Sequence, residues 1–322
     1  MTGNTAGADI TVTGLVKHFG EVRALDGVDF RVDSGTVLGL LGPNGSGKTT
    51  TVSILSTLVR PDAGEIRIAG RDPVADPGGV REVISLTGQY AALDERQTVR
   101  ENLVLFGRLT GLAKARAKAR APEMAEMLDL GEFLDRPTGS LSGGMRRRAD
   151  IAAALVTRPR VLFLDEPTTG LDPRSRAAVW DAVRALRGAG VTVLLTTQYL
   201  EEADQLADRI VMLGGGRVVA EGTPVELKEA TGERIVEIRA AAADPAPLLD
   251  LLPGAHLAEG GRVRVPAPRG TADLAGIAAR VADSGIAVHD IGLRQPTLDE
   301  VFLQFTGEPA APAGDAAAGE AG

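Results

Sequence analysis

The sequence predicts an α/β fold, a mostly parallel sheet with a helical lobe at its side, followed by a small α+β domain. Three observations predict it. Short apolar strands alternate with helices through most of the chain, the pattern of parallel strands joined by helical crossovers. A glycine-rich loop lies between one such strand and the helix after it. After about Gly232 the pattern changes to the shorter strands and helices of a second unit.

Ile10–Val12 and Val28–Val32 alternate side chains between turns and read as strands. Val37–Leu41 is almost wholly apolar, as in a buried strand, and the helix beyond the loop carries Val52, Leu55 and Val59. Val83–Leu86 is a further strand. Residues 90–140 turn helical, with Leu103 and Phe106 in one amphipathic stretch and a basic, Ala-rich one over Ala113–Leu130; this block is the expected lobe. Strands return at Val161–Leu164, Val191–Thr196 and Arg209–Leu213, with a helix over Ser175–Leu186. The first domain is thus expected over residues 10–232.

In residues 233–307, Arg234–Arg239, Arg262–Val265 and Ile286–Ile291 read as strands, and Asp273–Ala282 and Leu298–Phe305 as helices. A ferredoxin-like arrangement suits this order. Leu298, Val301, Phe302 and Phe305 form one helical stripe. Residues 308–322, rich in Ala, Pro and Gly, have almost nothing to bury and are expected to be disordered.

Composition narrows the function. With 44% hydrophobic residues among 322, a full core can be buried. A net charge of −8 argues against a surface that grips nucleic acid through its phosphates. The absence of cysteine excludes disulfides, thiolate zinc sites and cysteine nucleophiles. No apolar run approaches the roughly 20 residues that cross a bilayer, and Met1–Asp9 lacks the basic start and apolar middle of a signal peptide. A soluble, cytoplasmic protein is the expectation.

The chemistry concentrates in three places. Gly42, Pro43, Asn44, Gly45, Ser46, Gly47, Lys48 and Thr49 fit the phosphate-loop pattern, with Thr50 next in the helix. Glycines let backbone N–H groups curl around phosphates, and the helix start adds partial positive charge. Lys48 would hold the β- and γ-phosphates and the Thr49 hydroxyl would ligate Mg²⁺. Next, the apolar strand at Val161 ends in Asp165 and Glu166. Neighbouring strand residues point to opposite sides, so Asp165 would approach Mg²⁺, directly or through water, while Glu166 polarises the attacking water. Last, Ser142 with Gly143 and Gly144 opens an Ala-rich helix and makes a second anion site. One phosphate loop with one extra anion site suggests that the second serves another molecule's nucleotide.

With Gln89, Leu141–Gly144, Leu164–Pro167 and Gly170–Asp172 added to the phosphate loop, the chain over about Ile10–Gly232 resembles the ABC ATPases. The resemblance implies an ATPase that uses ATP and Mg²⁺ and works as a homodimer. Phe19 would then stack on adenine, Gln89 would link Mg²⁺ and water to the helical lobe, and Asp172 would be the dimer-loop aspartate. Ser142 and Gly144 would touch the γ-phosphate bound by the partner subunit. Three departures stand out. Met145 replaces the usual Gln, position 19 is Phe rather than Tyr, and Gln198 stands where the family has its switch histidine. His18, His256 and His289 lie elsewhere and read as structural or surface residues.

The segments Thr87–Ala91, Ser142–Arg148, Thr196–Asp204 and Leu298–Leu303 resemble the daunorubicin/doxorubicin-resistance type of ATP-binding subunit, extending the likeness to about Gly307. That type implies a separate membrane permease as partner, export of a drug or other hydrophobic compound, and a place on the cytoplasmic face of the membrane. The rival is a non-transport ABC ATPase of DNA repair or translation. Such proteins usually pair two ATPase units or insert a long coiled coil, whereas this chain has one unit and an acidic balance. A GTPase would need an Asn-Lys-x-Asp motif, which is absent.

Overall fold

A computed structural model describes residues 7–88, 92–231, 234–241, 245–294 and 297–306. The expected tail, 308–322, and Gln89 lie outside them, as does the Phe305 side chain. The chain divides into two compact units, one running through Pro224 and the other spanning Val225–Pro309.

In the first unit, β1 (Ala8–Phe19) and β2 (Val22–Asp33) form a hairpin, followed by β3 (Val37–Leu41) and α1 (Lys48–Leu55). Then come β4 (Ala63–Ile68), α2 (Pro77–Val83) and β5 (Ile84–Thr87). Helices α3 (Val99–Leu109) and α4 (Lys114–Met127) fill the expected lobe segment, and α5 (Gly143–Leu155) leads to β6 (Val161–Asp165). The unit finishes with α6 (Pro173–Gly188), β7 (Thr192–Thr197), α7 (Leu200–Leu206), β8 (Arg209–Gly214) and β9 (Arg217–Gly222).

Two sheets result. One is antiparallel, in the order β2-β1-β4; the other runs β5-β6-β7-β3-β8-β9 and is parallel except for β9. The period of two in β6 shows how the layers stack. Val161 and Phe163 enter a core with α1 and the antiparallel sheet, through Ile10, Phe30, Val52 and Leu55. Leu162 and Leu164 enter the opposite core with Leu103, Ala152, Val183 and Leu186 of the helices.

One helix is shorter than expected, and one strand was not expected. The helix after the loop ends at Leu55, and Thr57 turns to a φ of 66°; Val59 therefore reaches the core from beyond the helix. Strand β4 carries few apolar residues and gave no run to detect. It is an edge strand of its sheet, so only Ile66 and Ile68 are buried.

In the second unit α8 (Pro224–Thr231) precedes β10 (Ile235–Ala240), α9 (Ala246–Leu251), β11 (His256–Ala258), β12 (Arg262–Pro266), α10 (Thr271–Ser284), β13 (Val288–Arg294) and α11 (Leu298–Thr306). Its sheet is antiparallel, in the order β11-β12-β10-β13. With α9 and α10 as connections, this is the split β-α-β order of ferredoxin-like folds. Val236, Ile238, Val263 and Val265 pack on Leu248, Ile277 and Val281. Of the α11 stripe, Leu298, Val301 and Phe302 are buried.

Candidate functional site

Register in the parallel sheet brings the strand ends level. Leu41, last in β3, pairs with Thr197, last in β7. Asp165, last in β6, pairs with Thr196, and Thr87, last in β5, pairs with Leu164. The segments that follow these strands therefore leave one edge side by side: Gly42, Gln198, Glu166 and Gly88. This carboxyl edge of an open α/β sheet is where such folds take ligands.

Next to that edge, the loop from Gly42 to Gly47 turns back on itself. A Cβ on Gly42 would lie 2.3 Å from Ser46 Oγ and 2.6 Å from the Leu213 carbonyl oxygen. Gly47, with a φ of 107°, caps α1, and a Cβ there would meet Leu25 at 2.6 Å. No side chain caps α1, so the N–H groups of its first turn are open to an anion. The Ser46 hydroxyl is buried without a partner, as expected where an outside oxygen belongs. Asn44, Gly45 and Thr49 are exposed, Pro43 and Thr50 partly so.

Lys48 is buried, and its ammonium donates to the carbonyls of Gly42 at 2.8 Å and Pro43 at 3.1 Å. Glu166 Oε1 stands 3.7 Å from it. Burial pulls the Lys48 pKa down, while the charges of Glu166 and Asp165 work against that. Asp165 Oδ1 accepts from the Thr196 hydroxyl at 2.5 Å. Glu166 has a φ of 46°, a left-handed conformation that disfavours a side chain by roughly 1–2 kcal/mol. Its N–H donates to Thr196 O and Oγ1 at 3.1 and 3.0 Å, and Thr169 Oγ1 donates to its Oε2 at 3.2 Å. Strain held this way at a cleft is a common mark of a reacting group.

Lys48, Asp165 and Glu166 thus converge, and Gln198 follows β7 beside them, half-buried. Other sequence-derived residues sit apart. Ser142 is exposed and caps α5, accepting from Met145 N–H at 3.3 Å. Gly144 lets α5 close on α6, since a Cβ there would meet Ser175 at 2.6 Å. Asp172 caps α6, accepting from Ser175 N–H at 3.0 Å and Oγ at 2.6 Å, which hold its carboxyl below the usual range. Phe19 is 50% exposed under the Lys17 ammonium. Among the described residues no hydrogen bond or ion pair joins Ser142, Asp172 or Phe19 to Lys48 or Glu166. Gln89 cannot be placed, being outside the described residues.

Two buried charged residues at the site were not singled out from the sequence. Arg147, the middle of a run of three arginines, is buried and bonds to the carbonyls of Gly88, Asp165 and Pro167. Its only advance sign was Asp150 three residues on, at ion-pair spacing. Glu202, in α7 just after Gln198, is fully buried and accepts from Trp180 Nε1 at 3.2 Å. Desolvation pushes its carboxyl above the usual range, against the polar neighbours Thr197, Thr168 and Trp180 and the Arg176 charge.

Residues 25–169 match the family model described as ABC transporter, and residues 222–306 the one described as ATP-binding protein DrrA1-3-like, C-terminal domain. The chain is 54% identical over 303 residues to the daunorubicin resistance ATP-binding protein DrrA3 of Streptomyces coeruleorubidus, covering 93% of this chain and 96% of that one. It is 39% identical to the Nod factor export ATP-binding protein I of Rhizobium sp. (strain N33), covering 92% and 97%. Among solved structures, cbiO1 from Clostridium perfringens, part of the transporter complex cbiONQ, superposes with a TM-score of 0.64 at 26% identity over 68% of this chain and 90% of that one. The ADP conformation of MJ1267, an ATP-binding cassette of an ABC transporter, gives 0.61 at 28% identity, covering 68% and 92%.

Proposed function

Because this chain belongs to the ABC transporter ATP-binding proteins of the daunorubicin/doxorubicin-resistance type, we propose that it hydrolyses ATP as one half of a homodimer and so drives export of a drug or other hydrophobic compound through a separate membrane permease. The observation that carries this reading is the meeting of Lys48, Asp165 and Glu166 beside the loop 42–47, with Ser142 exposed at the start of α5. One chain then offers a phosphate cradle and a second anion site for the nucleotide of its partner.

In this reading, the N–H groups of 45–50 hold the phosphates, and Lys48 exchanges the carbonyls of Gly42 and Pro43 for the β- and γ-phosphate oxygens. Phe19 stacks on the adenine. Glu166 accepts the proton of the attacking water, and Gln198 orients that water and the γ-phosphate. Ser142 and Gly144 complete the partner's site, and Asp172 lies at the contact between the chains.

The donor set fits Mg²⁺, a hard cation that takes oxygen ligands and keeps several waters. Thr49 and Asp165 would hold it, with Gln89 as the third residue inferred from the family. Among the described residues no cluster of three or more His, Cys, Asp or Glu could hold a metal alone, so phosphate and water oxygens would complete the shell. When bound, the ion neutralises charge developing on the β- and γ-phosphate oxygens.

No helix of the described residues is long and apolar enough to cross a membrane, which supports a permease as the source of the pathway. The chain would then act at the cytoplasmic face of the membrane, bound to that permease. Relatives named for drug resistance and Nod factor export support export over DNA repair or translation. Co-expression with the membrane protein that co-purifies with this chain tests the reading: anthracycline efflux should appear and should be lost with Lys48→Ala. Efflux unchanged by that substitution would contradict it.

A further inference from the structure

The guanidinium of Arg147 is buried and forks over the backbone on both sides of Glu166. Nε donates to the Pro167 carbonyl at 2.9 Å, and Nη2 to the Asp165 carbonyl at 3.2 Å. Nη1 donates to the Gly88 carbonyl at 2.6 Å and to Asp150 Oδ2 at 3.4 Å. Asp150 Oδ1 in turn accepts from Ala92 N–H at 3.0 Å. We infer that Arg147 is a positioning residue for Glu166: its fork pins the two carbonyls that flank the strained turn and so fixes where the Glu166 carboxylate points.

The strain is what makes such a device necessary. A non-glycine residue with a φ of 46° stays in place only where its surroundings over-determine it. Thr196 fixes the Glu166 N–H from one side, and Arg147 fixes the carbonyls from the other. Only a planar guanidinium presents two parallel donors at this spacing. Burying it with Asp150 carries a desolvation penalty, seen in the lowered Arg147 and raised Asp150 pKa values, both due first to burial. An apolar pair would fill the space without that penalty, so the pair serves geometry. Arg147 lies in the helix that opens at Ser142, and the fork therefore links the aim of Glu166 to the surface proposed to meet the second nucleotide.

The inference rests on the ATPase reading, and its test separates the two. In the full-length chain, Arg147→Lys keeps a buried charge opposite Asp150 but loses the fork. The pair Arg147→Met with Asp150→Leu removes both charges, a change that buried ion pairs often tolerate. Melting temperature, KM for ATP and kcat are measured for each. Both variants should show kcat lower by about tenfold or more with KM within about twofold. Placed on Glu166→Gln, Arg147→Lys should lower the residual rate by less than about twofold, because the group it aims is already disabled. Three results would overturn the inference: turnover within about twofold of the parent, kcat and KM failing together with the melting temperature, or an equal further loss on Glu166→Gln. Absence of hydrolysis in the unmodified chain would instead retire the ATPase reading.

Discussion

The Lys48 ammonium lies between the loop carbonyls it bonds, Gly42 and Pro43, and the Glu166 carboxylate 3.7 Å away. One cation thus ties the phosphate loop to the strand end that carries the proposed base. In the proposed mechanism a γ-phosphate entering the loop would compete for that cation and release Glu166 to face water. Lys48→Ala should abolish steady-state ATP hydrolysis and weaken ATP binding by about tenfold or more, the loss of a charge-assisted contact. Full activity in that variant would remove the phosphate-loop assignment.

Gln198 stands where β7 ends, one residue past the partner of Leu41. Glutamine offers a donor and an acceptor and stays uncharged, so it can orient the γ-phosphate and water without serving as acid or base. If its hydrogen bond forms mainly in the transition state, Gln198→Ala should slow turnover roughly 10- to 100-fold. ATP affinity should barely change, and Gln198→His should keep substantial activity because a donor is restored. Steady-state kinetics decide it, and an alanine variant within about twofold of the parent would retire Gln198 from the mechanism.

Much of the site was legible because its parts are local. A strand, a glycine loop and a helix in succession read as a phosphate loop, and two adjacent carboxylates at a strand end marked a candidate pair. Strand alternation does not set their directions, because β6 ends at Asp165 and Glu166 turns left-handed beyond it. What was hidden is long-range. That Leu41, Asp165 and Thr197 end level follows from parallel register between strands far apart in the chain, β3 and β7 by more than a hundred residues, which no local window contains. The left-handed turn at Glu166 was invisible because the residue is not glycine. Arg147 was not singled out in its run of three arginines, and helix packing puts it inside. In the second unit, alternation exposed β10 and β12, while β11, three residues long and mostly exposed, left no pattern to read.

Glu202 gives the fold a pH signature. Burial lifts its carboxyl above the usual glutamate value, with the Trp180 N–H, the neighbouring hydroxyls and Arg176 opposing. Folding therefore favours the protonated form. That contribution is fully present below the unfolded pKa of about 4.3 and is lost as pH rises through the folded value. Glu202→Gln stays neutral and escapes the loss. Melted across about pH 4 to 8, the variant should gain stability relative to the parent as pH rises. A constant difference across that range would show that Glu202 is not held in its protonated form by burial.

In the proposed dimer two chains share their nucleotides, each completing the site of the other through Ser142. Glu166→Gln tests it most directly. The amide cannot accept the proton of water, so ATP should bind and stay intact, holding the two chains together. Size-exclusion chromatography of this variant with ATP and Mg²⁺ should give a dimer that carries uncleaved ATP, and a monomer once nucleotide is withheld. A monomer under both conditions would contradict the shared site.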